Sequence, residues 1–175
     1  LNSEIVDGFA YSLIEQELSD NEVSKTHYQN KFAQGFESTV LTPDLNGNPD
    51  EAAIKLIEDT MDSTFVRLFC KDHSISPNVL FMSATFLALN KFTFSDKALI
   101  TTIFNGRSNS NYFDTQGMLV KTLPLMVSAE DREIMVEDFI KIVDRSWKES
   151  LVHSNYSYTT LSEEYQLKPE FFYAY

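Results

Sequence analysis

Three imidazoles, one thiol and a row of carboxylates are the groups in this 175-residue chain with the reactivity of a base, a nucleophile or a metal ligand. A catalytic imidazole needs a partner that orients it and a cleft that holds it near the reacting proton. His27 lies in a helical pattern and His73 at a helix end, and no motif supplies either requirement, so both read as solvent-facing or packing groups. His153 has two readings. It ends a long helical stripe, where an imidazole complements the helix dipole, and it opens the polar and aromatic run His153-Ser154-Asn155-Tyr156-Ser157-Tyr158. Cys70 has only His73 at helical reach, without a carboxylate to orient it, so a buried structural thiol is expected. Ser157 and Ser162 show no nucleophile-elbow pattern. Glu130, Asp131, Glu133, Glu137 and Asp138 fall where a capped, exposed helix face needs them. No metal site is expected, and no catalytic residue is assigned.

A second polar cluster sits in a connection. Ala98 to Phe104 is a continuous apolar and β-branched run that stops at Asn105-Gly106-Arg107, the pattern of a strand buried on both faces and ended by a turn. Met118 to Leu125 is another strand-like segment, just after Gly117. Between them, Arg107 to Gln116 is too polar for a core and long enough for a structured surface connection. Side by side, the two strands form the middle of a sheet with a glycine at each end of the loop. Gly106 would permit the positive φ of the turn, and Arg107 would tie loop carbonyls or a carboxylate by bidentate hydrogen bonds.

Asn105-Gly106-Arg107 after a buried strand, followed by Gln116-Gly117-Met118-Leu119-Val120-Lys121-Thr122-Leu123-Pro124, resembles the condensation domain of non-ribosomal peptide synthetases. That family carries a Gly-Arg after one strand and then a Gly-x-hydrophobic-Val-Asn-Thr-Leu-Pro strand. The run from His153 to Tyr158 resembles the family's His-Gln-Asp-Tyr-Pro-Phe motif, at the expected remove and with a long helix between. Tyr11 to Gln16 is loosely similar to the segment that follows the catalytic motif, without its Asp and Trp.

The resemblance implies an α/β (α+β) two-layer sandwich, a mixed β-sheet covered by helices, of the chloramphenicol acetyltransferase-like kind. It implies that Asn105, Gly106, Arg107, Gly117, Lys121 and Thr122 stand near the channel along which a pantetheine arm reaches the reaction centre. His153, Asn155 and Tyr156 match the second motif and are also open to a structural role, which for His153 is the favoured reading. Lys121 occupies the place of the family's Asn, which changes the shape and charge of that wall. The family's His-His-x-x-x-Asp-Gly motif does not occur in these residues. Asp7-Gly8 keeps its last two letters but follows Glu4, Ile5 and Val6. The chain alone is therefore expected to be inactive, a C-terminal portion whose N-terminal half carries the base.

By the same resemblance, the whole domain joins an aminoacyl or peptidyl thioester to the amine of a second aminoacyl thioester. Its partners would be that N-terminal half, peptidyl carrier proteins and adenylation domains. No cofactor would bind directly; phosphopantetheine would arrive on the carrier protein. Two rivals stand beside this reading: a non-catalytic condensation-like module that recruits a carrier protein, and another acyltransferase or an epimerisation domain of the same superfamily.

Composition sets the frame. With 43% hydrophobic and 13% aromatic residues, the chain can bury a sizeable core. A net charge of −12 repels phosphate backbones and anionic lipid, which disfavours nucleic-acid and membrane partners. The longest apolar run, near Val79 to Leu89, is too short and too interrupted to span a bilayer, and a single cysteine excludes an internal disulfide. A cytoplasmic location is the expectation. The chain starts at Leu1 and reads as a piece of a longer polypeptide.

The elements that must position these residues follow from periodicity. Ile5, Phe9, Leu13, Ile14 and Leu18, then Val23, His27, Tyr28, Phe32 and Phe36, predict two amphipathic helices divided and capped at Ser19-Asp20-Asn21. Residues 1–41 form a helical lead-in, 42–51 (TPDLNGNPDE begins at Thr42) a loop or hinge, and 52–175 the condensation-type subdomain. Ala53 to Thr60 is read as a strand or a helix, with the family favouring a strand. Asp62 caps a helix to Lys71 with Phe65, Val66, Leu68 and Phe69 as its apolar side. Ser76-Pro77 opens a helix to about Phe92, apolar nearly all round and therefore buried between layers. Ser128 to Asp131 resembles a capping box ahead of a long helix whose stripe is Val136, Phe139, Ile140, Val143, Trp147 and Leu151. Tyr158 to Leu167 predicts a short helix, and Glu170 to Tyr175 an aromatic-rich strand.

Overall fold

In a computed structural model, residues 7–33, 35–36, 39–42, 47–48, 54–107, 110–129, 133–168 and 171–175 are described. The centre is β1 (Lys97–Phe104), whose Ala98 to Thr102 are buried throughout, as a two-sided apolar run requires. It pairs antiparallel with β2 (Lys121–Ser128) along its whole length, from Lys97 opposite Ser128 to Phe104 opposite Lys121. On its other side β3 (Phe172–Tyr173) runs parallel, giving the order β2-β1-β3. Thr101 donates its N–H to the Phe171 carbonyl on the β3 side, at 2.9 Å. The Thr101–Pro124 pair is thus not a hydrogen-bonded one. Pro124, which has no N–H, breaks no bond to β1.

Alternation along β1 sends side chains to two cores. Ala98 and Ile100, with Leu125 and Val127 of β2, pack against Met82, Phe86 and Leu89 of α4 (Pro77–Thr93) and against Phe139 and Val143 of α5 (Val136–Val152). Leu99 points the other way, into a cluster with Tyr28 and Phe32 of α2 (Glu22–Ala33), Leu161 of α6 (Tyr158–Tyr165), Tyr156 and Leu167. Helices thus cover both faces of the mixed sheet. Tyr173 of β3 hydrogen-bonds through its hydroxyl to the carbonyl and side chain of Asn78, each at 3.0 Å, tying the short strand to the start of α4.

The helix starts follow their caps. Ser76 Oγ accepts from the Val79 N–H with Pro77 at the first helical position, and Asp62 accepts from the Thr64 N–H to open α3 (Ser63–Asp72). Asn21 accepts from the N–H groups of Val23 and Ser24, which separates α2 from α1 (Gly8–Ser19).

Several expectations are corrected. Residues 54–60 have no regular structure and are exposed, so neither a strand nor a helix forms there. The second strand starts at Lys121 rather than Met118, because β1 ends at Phe104, whose partner is Lys121. The long helix starts at Val136 with no side-chain cap, since Ser128 is spent as the last residue of β2; Glu130 and Asp131 lie outside the described residues. The apolar stripes of α1 and α3 are not core: Phe9, Leu13, Leu18, Phe65 and Leu68 are exposed, whereas Tyr11 and Cys70 are buried. On α4 one face is buried, and Leu87 and Phe92 are exposed. The hinge residues 43–46 and 49–51 lie outside the described set, while Thr42, Gly47 and Asn48 are exposed and irregular. Among the described residues no helix is long and apolar enough to cross a membrane.

Candidate functional site

The turn after β1 fixes one end of the site. Gly106 has φ +72°, and a β-carbon built there would lie 1.8 Å from the Leu119 carbonyl oxygen, so only glycine lets the two strand ends close on each other. Asn105 Oδ1 accepts from the Arg107 N–H at 3.0 Å, and the Arg107 guanidinium donates to the carbonyl of Thr115 at 3.1 Å. Arg107 is thus occupied in tying the loop to itself. Gly117 is exposed in the returning arm, two residues before the buried Leu119.

Against this loop lies α1. Gly8 approaches so near that an added β-carbon would lie 2.5 Å from the Gln116 carbonyl oxygen, and Tyr11 meets Tyr112 edge-on with ring centroids 5.1 Å apart. The first residue of β2, Lys121, is only 8% exposed and pairs through its ammonium with the Glu15 carboxylate. The same ammonium stands 5.7 Å from the centre of the Tyr11 ring. A buried cation without such partners would carry its full desolvation cost.

These contacts leave a polar groove of about 440 Å³. Its walls are Ser12, Glu15 and Gln16 of α1, Lys121 and Thr122 of β2, and the turn after α5 with Asn155 and Tyr156. A second hollow of about 220 Å³ adjoins it through the shared Glu15 and Asn155, and Gly106, Tyr11 and Tyr112 line it. Lys121, Thr122, Asn155, Tyr156 and Gly106 therefore meet around one feature, although 33 positions separate Thr122 from Asn155. Asn105 and Arg107 stand beside it in the loop.

His153 goes elsewhere. It is the C-cap of α5, and its ring stacks on His27 at 4.0 Å while Nδ1 lies 3.0 Å from Ser24 Oγ. Burial and the neighbouring His153 and Lys31 push His27 down to about 4. Burial also lowers His153, against the opposing pull of Glu149. Both imidazoles are thereby held neutral near pH 7 and act as packing between α2 and the end of α5. His73 packs on Phe69, donates a hydrogen bond from Nδ1 to the Phe69 carbonyl, and reaches Glu137 of α5 at 3.4 Å. No histidine lines the groove or the adjoining hollow among the described residues, so the polar groups they present are amides, hydroxyls and the neutralised Lys121–Glu15 pair. Among the same residues no group of His, Cys, Asp or Glu has the arrangement of a metal site. Glu15, Ser12 and Tyr112 were not legible as site residues; Glu15 meets Lys121 across 106 positions, and no local pattern marks such a pair.

A sequence model described as "Condensation domain" matches residues 9–171. The chain is 29% identical over 150 residues to surfactin synthase subunit 2 of Bacillus subtilis (strain 168), covering 82% of this chain and 4% of that protein. Among solved structures it is similar to the first condensation domain of the calcium-dependent antibiotic synthetase, with TM-score 0.69, 15% identity, and coverage of 91% of this chain and 38% of that one. It is likewise similar to the condensation domain of the monacolin K polyketide synthase, with TM-score 0.69, 17% identity, and coverage of 96% and 42%. The chain thus spans less than half the length of these solved relatives, and its fold is their chloramphenicol acetyltransferase-like one, a mixed sheet covered by helices. With the family's model matched from Phe9 to Phe171, the chain belongs to the condensation-domain family.

Proposed function

We propose that this chain forms one wall of the cleft in which a condensation domain makes a peptide bond between carrier-bound thioesters. The observation that supports the reading is the convergence of two distant motif segments, Lys121-Thr122 and Asn155-Tyr156, on one groove beside the Gly106 turn. In the proposed scheme the groove guides the phosphopantetheine arm of a carrier protein. Its amide and hydroxyl groups match the amides of such an arm, and its ion pair leaves no net charge to hold or repel it. Asn105, Gly106, Arg107 and Gly117 shape the rim, with His153 in a structural role behind it. The attacking amine would be deprotonated by a His-His-x-x-x-Asp-Gly motif on the other half of the domain, since among the described residues the groove holds no imidazole and its Glu15 carboxylate is paired with Lys121. Residues 1–41 would lead through a 42–51 hinge into the subdomain of residues 52–175. Peptidyl carrier and adenylation domains would be its working partners.

The test is peptide-bond formation with aminoacyl-loaded carrier proteins, run on a full-length domain and on this chain alone. The full domain is expected to turn over and this chain is not. Within the full domain, Asn155→Ala and Thr122→Val should each lower kcat/KM by about tenfold, the size of one lost hydrogen bond to a positioned substrate. Turnover by the isolated chain, or an unchanged kcat/KM in both variants, would overturn the reading.

A further inference from the structure

A groove of about 400 Å³ lies between α2, the end of β2 and α5, and it shares no lining residue with the candidate site. His27 and Lys31, one helical turn apart on α2, line it together with Ser128 of β2 and Glu149 of α5, over an apolar floor of Met126 and Ile142. Three polar atoms here are shut off from solvent and make no hydrogen bond: His27 Nε2, Lys31 Nζ and Ser128 Oγ. The carboxylate of Glu149 comes to 4.0 Å from Lys31 Nζ, too far for a hydrogen bond. Buried polar groups in native proteins are nearly always paired, so three orphans around one groove call for an explanation.

All three orphans can donate, and the ammonium can do nothing else. The groove's own acceptors, on Asn30, Ser146 and Glu149, make no hydrogen bond to these three atoms. The net charge of −12 argues against anions in general, but beyond roughly 10 Å that field is screened by salt. Locally the charge is balanced rather than negative, since Lys31 faces a single acid, Glu149, and the imidazoles of His27 and His153 are neutral.

We propose that this groove is a binding site for a small oxyanion, a phosphate or a carboxylate group, held by Lys31 Nζ, Ser128 Oγ and His27 Nε2. Glu149, 46% exposed, swings toward solvent as the anion enters and exposes the ammonium beneath it. An anion beside His27 favours the imidazolium, so binding raises the proton affinity of a ring that burial, His153 and Lys31 otherwise hold near 4. The other groups facing that ring are Glu149 across the groove and Tyr28, edge-on at 5.1 Å.

The test is an NMR titration of the 175-residue chain with inorganic phosphate, with acetate, and with chloride, all at one ionic strength. Saturable shifts of the His27 ring and of Ser128, with an upward move of the His27 titration midpoint, are expected with phosphate, with acetate, or with both, and the responding arm identifies the group. Lys31→Gln should weaken binding by about tenfold or more. Glu149→Gln, which removes the competing carboxylate without touching the donors, should tighten it by about threefold. Non-saturating shifts, shifts equalled by chloride, or an affinity unchanged in both variants would overturn the proposal.

Discussion

Two residues carry most of the strain and charge of the candidate site, and each makes a separate forecast. Gly106 holds a left-handed φ against the Leu119 carbonyl, so Gly106→Ala meets both a backbone penalty and a main-chain clash that no rotamer relieves. A loss of about 3 kcal/mol or more in unfolding free energy is expected by urea denaturation, against about 1 kcal/mol for an ordinary loop Gly→Ala. Lys121 is expensive to strand: Glu15→Gln leaves a buried ammonium with a weaker partner and should cost about 2 kcal/mol, less than for a fully buried pair because Glu15 is 37% exposed. Lys121→Asn in that background removes the stranded charge and should recover more than half of the loss. A double-mutant cycle by denaturation reads this directly, and additive single costs would show that the pair is not coupled.

At the scale of the element, the attachment of α2 depends on imidazoles that stay neutral. His27 is lowered to about 4 by burial first and then by His153 and Lys31. The unfolded chain therefore takes up a proton near 6.5 that the folded chain refuses until about 4. The stability held above pH 6.5 is lost as the pH falls from 6.5 to about 4, and the lowered His153 acts in the same sense. With the ring only partly buried, about 1–2 kcal/mol is at stake. His73 acts oppositely. The Phe69 carbonyl raises it first, with Glu137 adding to the shift, so its contribution is present at acid pH and is lost as the pH rises through its raised value. Stability curves between pH 7 and 4.5 should flatten in His27→Gln and steepen in His73→Gln; a His27→Gln curve that matches the wild type would remove this role for the stack.

Legibility in sequence follows the same division. The strand from Ala98 and the helix from Ser76-Pro77 were readable because their signals are local: a two-sided apolar run, and a cap with its proline. The buried faces of α1 and α3 were misread because exposed Phe and Leu mimic a core stripe, and a periodic pattern does not say which face finds a partner. The imidazole stack and the Glu15–Lys121 pair join positions more than 100 apart and left no trace in any window.

Across the molecule as a whole, apolar surface is unevenly covered. Met82 and Phe86 are fully buried between sheet and helices, whereas Phe65 and Leu68 on α3 are 75% and 59% exposed. Met82→Ala should therefore cost about 2–5 kcal/mol through lost transfer energy and the cavity left behind. Phe65→Ser with Leu68→Ser should change the unfolding free energy of this chain by no more than about 1 kcal/mol while reducing self-association in light scattering. The same pair of substitutions becomes diagnostic in a longer protein that carries the rest of a condensation domain, since this chain spans 38% and 42% of two solved relatives. A cost there of several times the cost here would place the cover of α3 in that remainder. An equal cost in both would mean that the face is open to solvent in the assembled domain as well, available to whatever docks from outside.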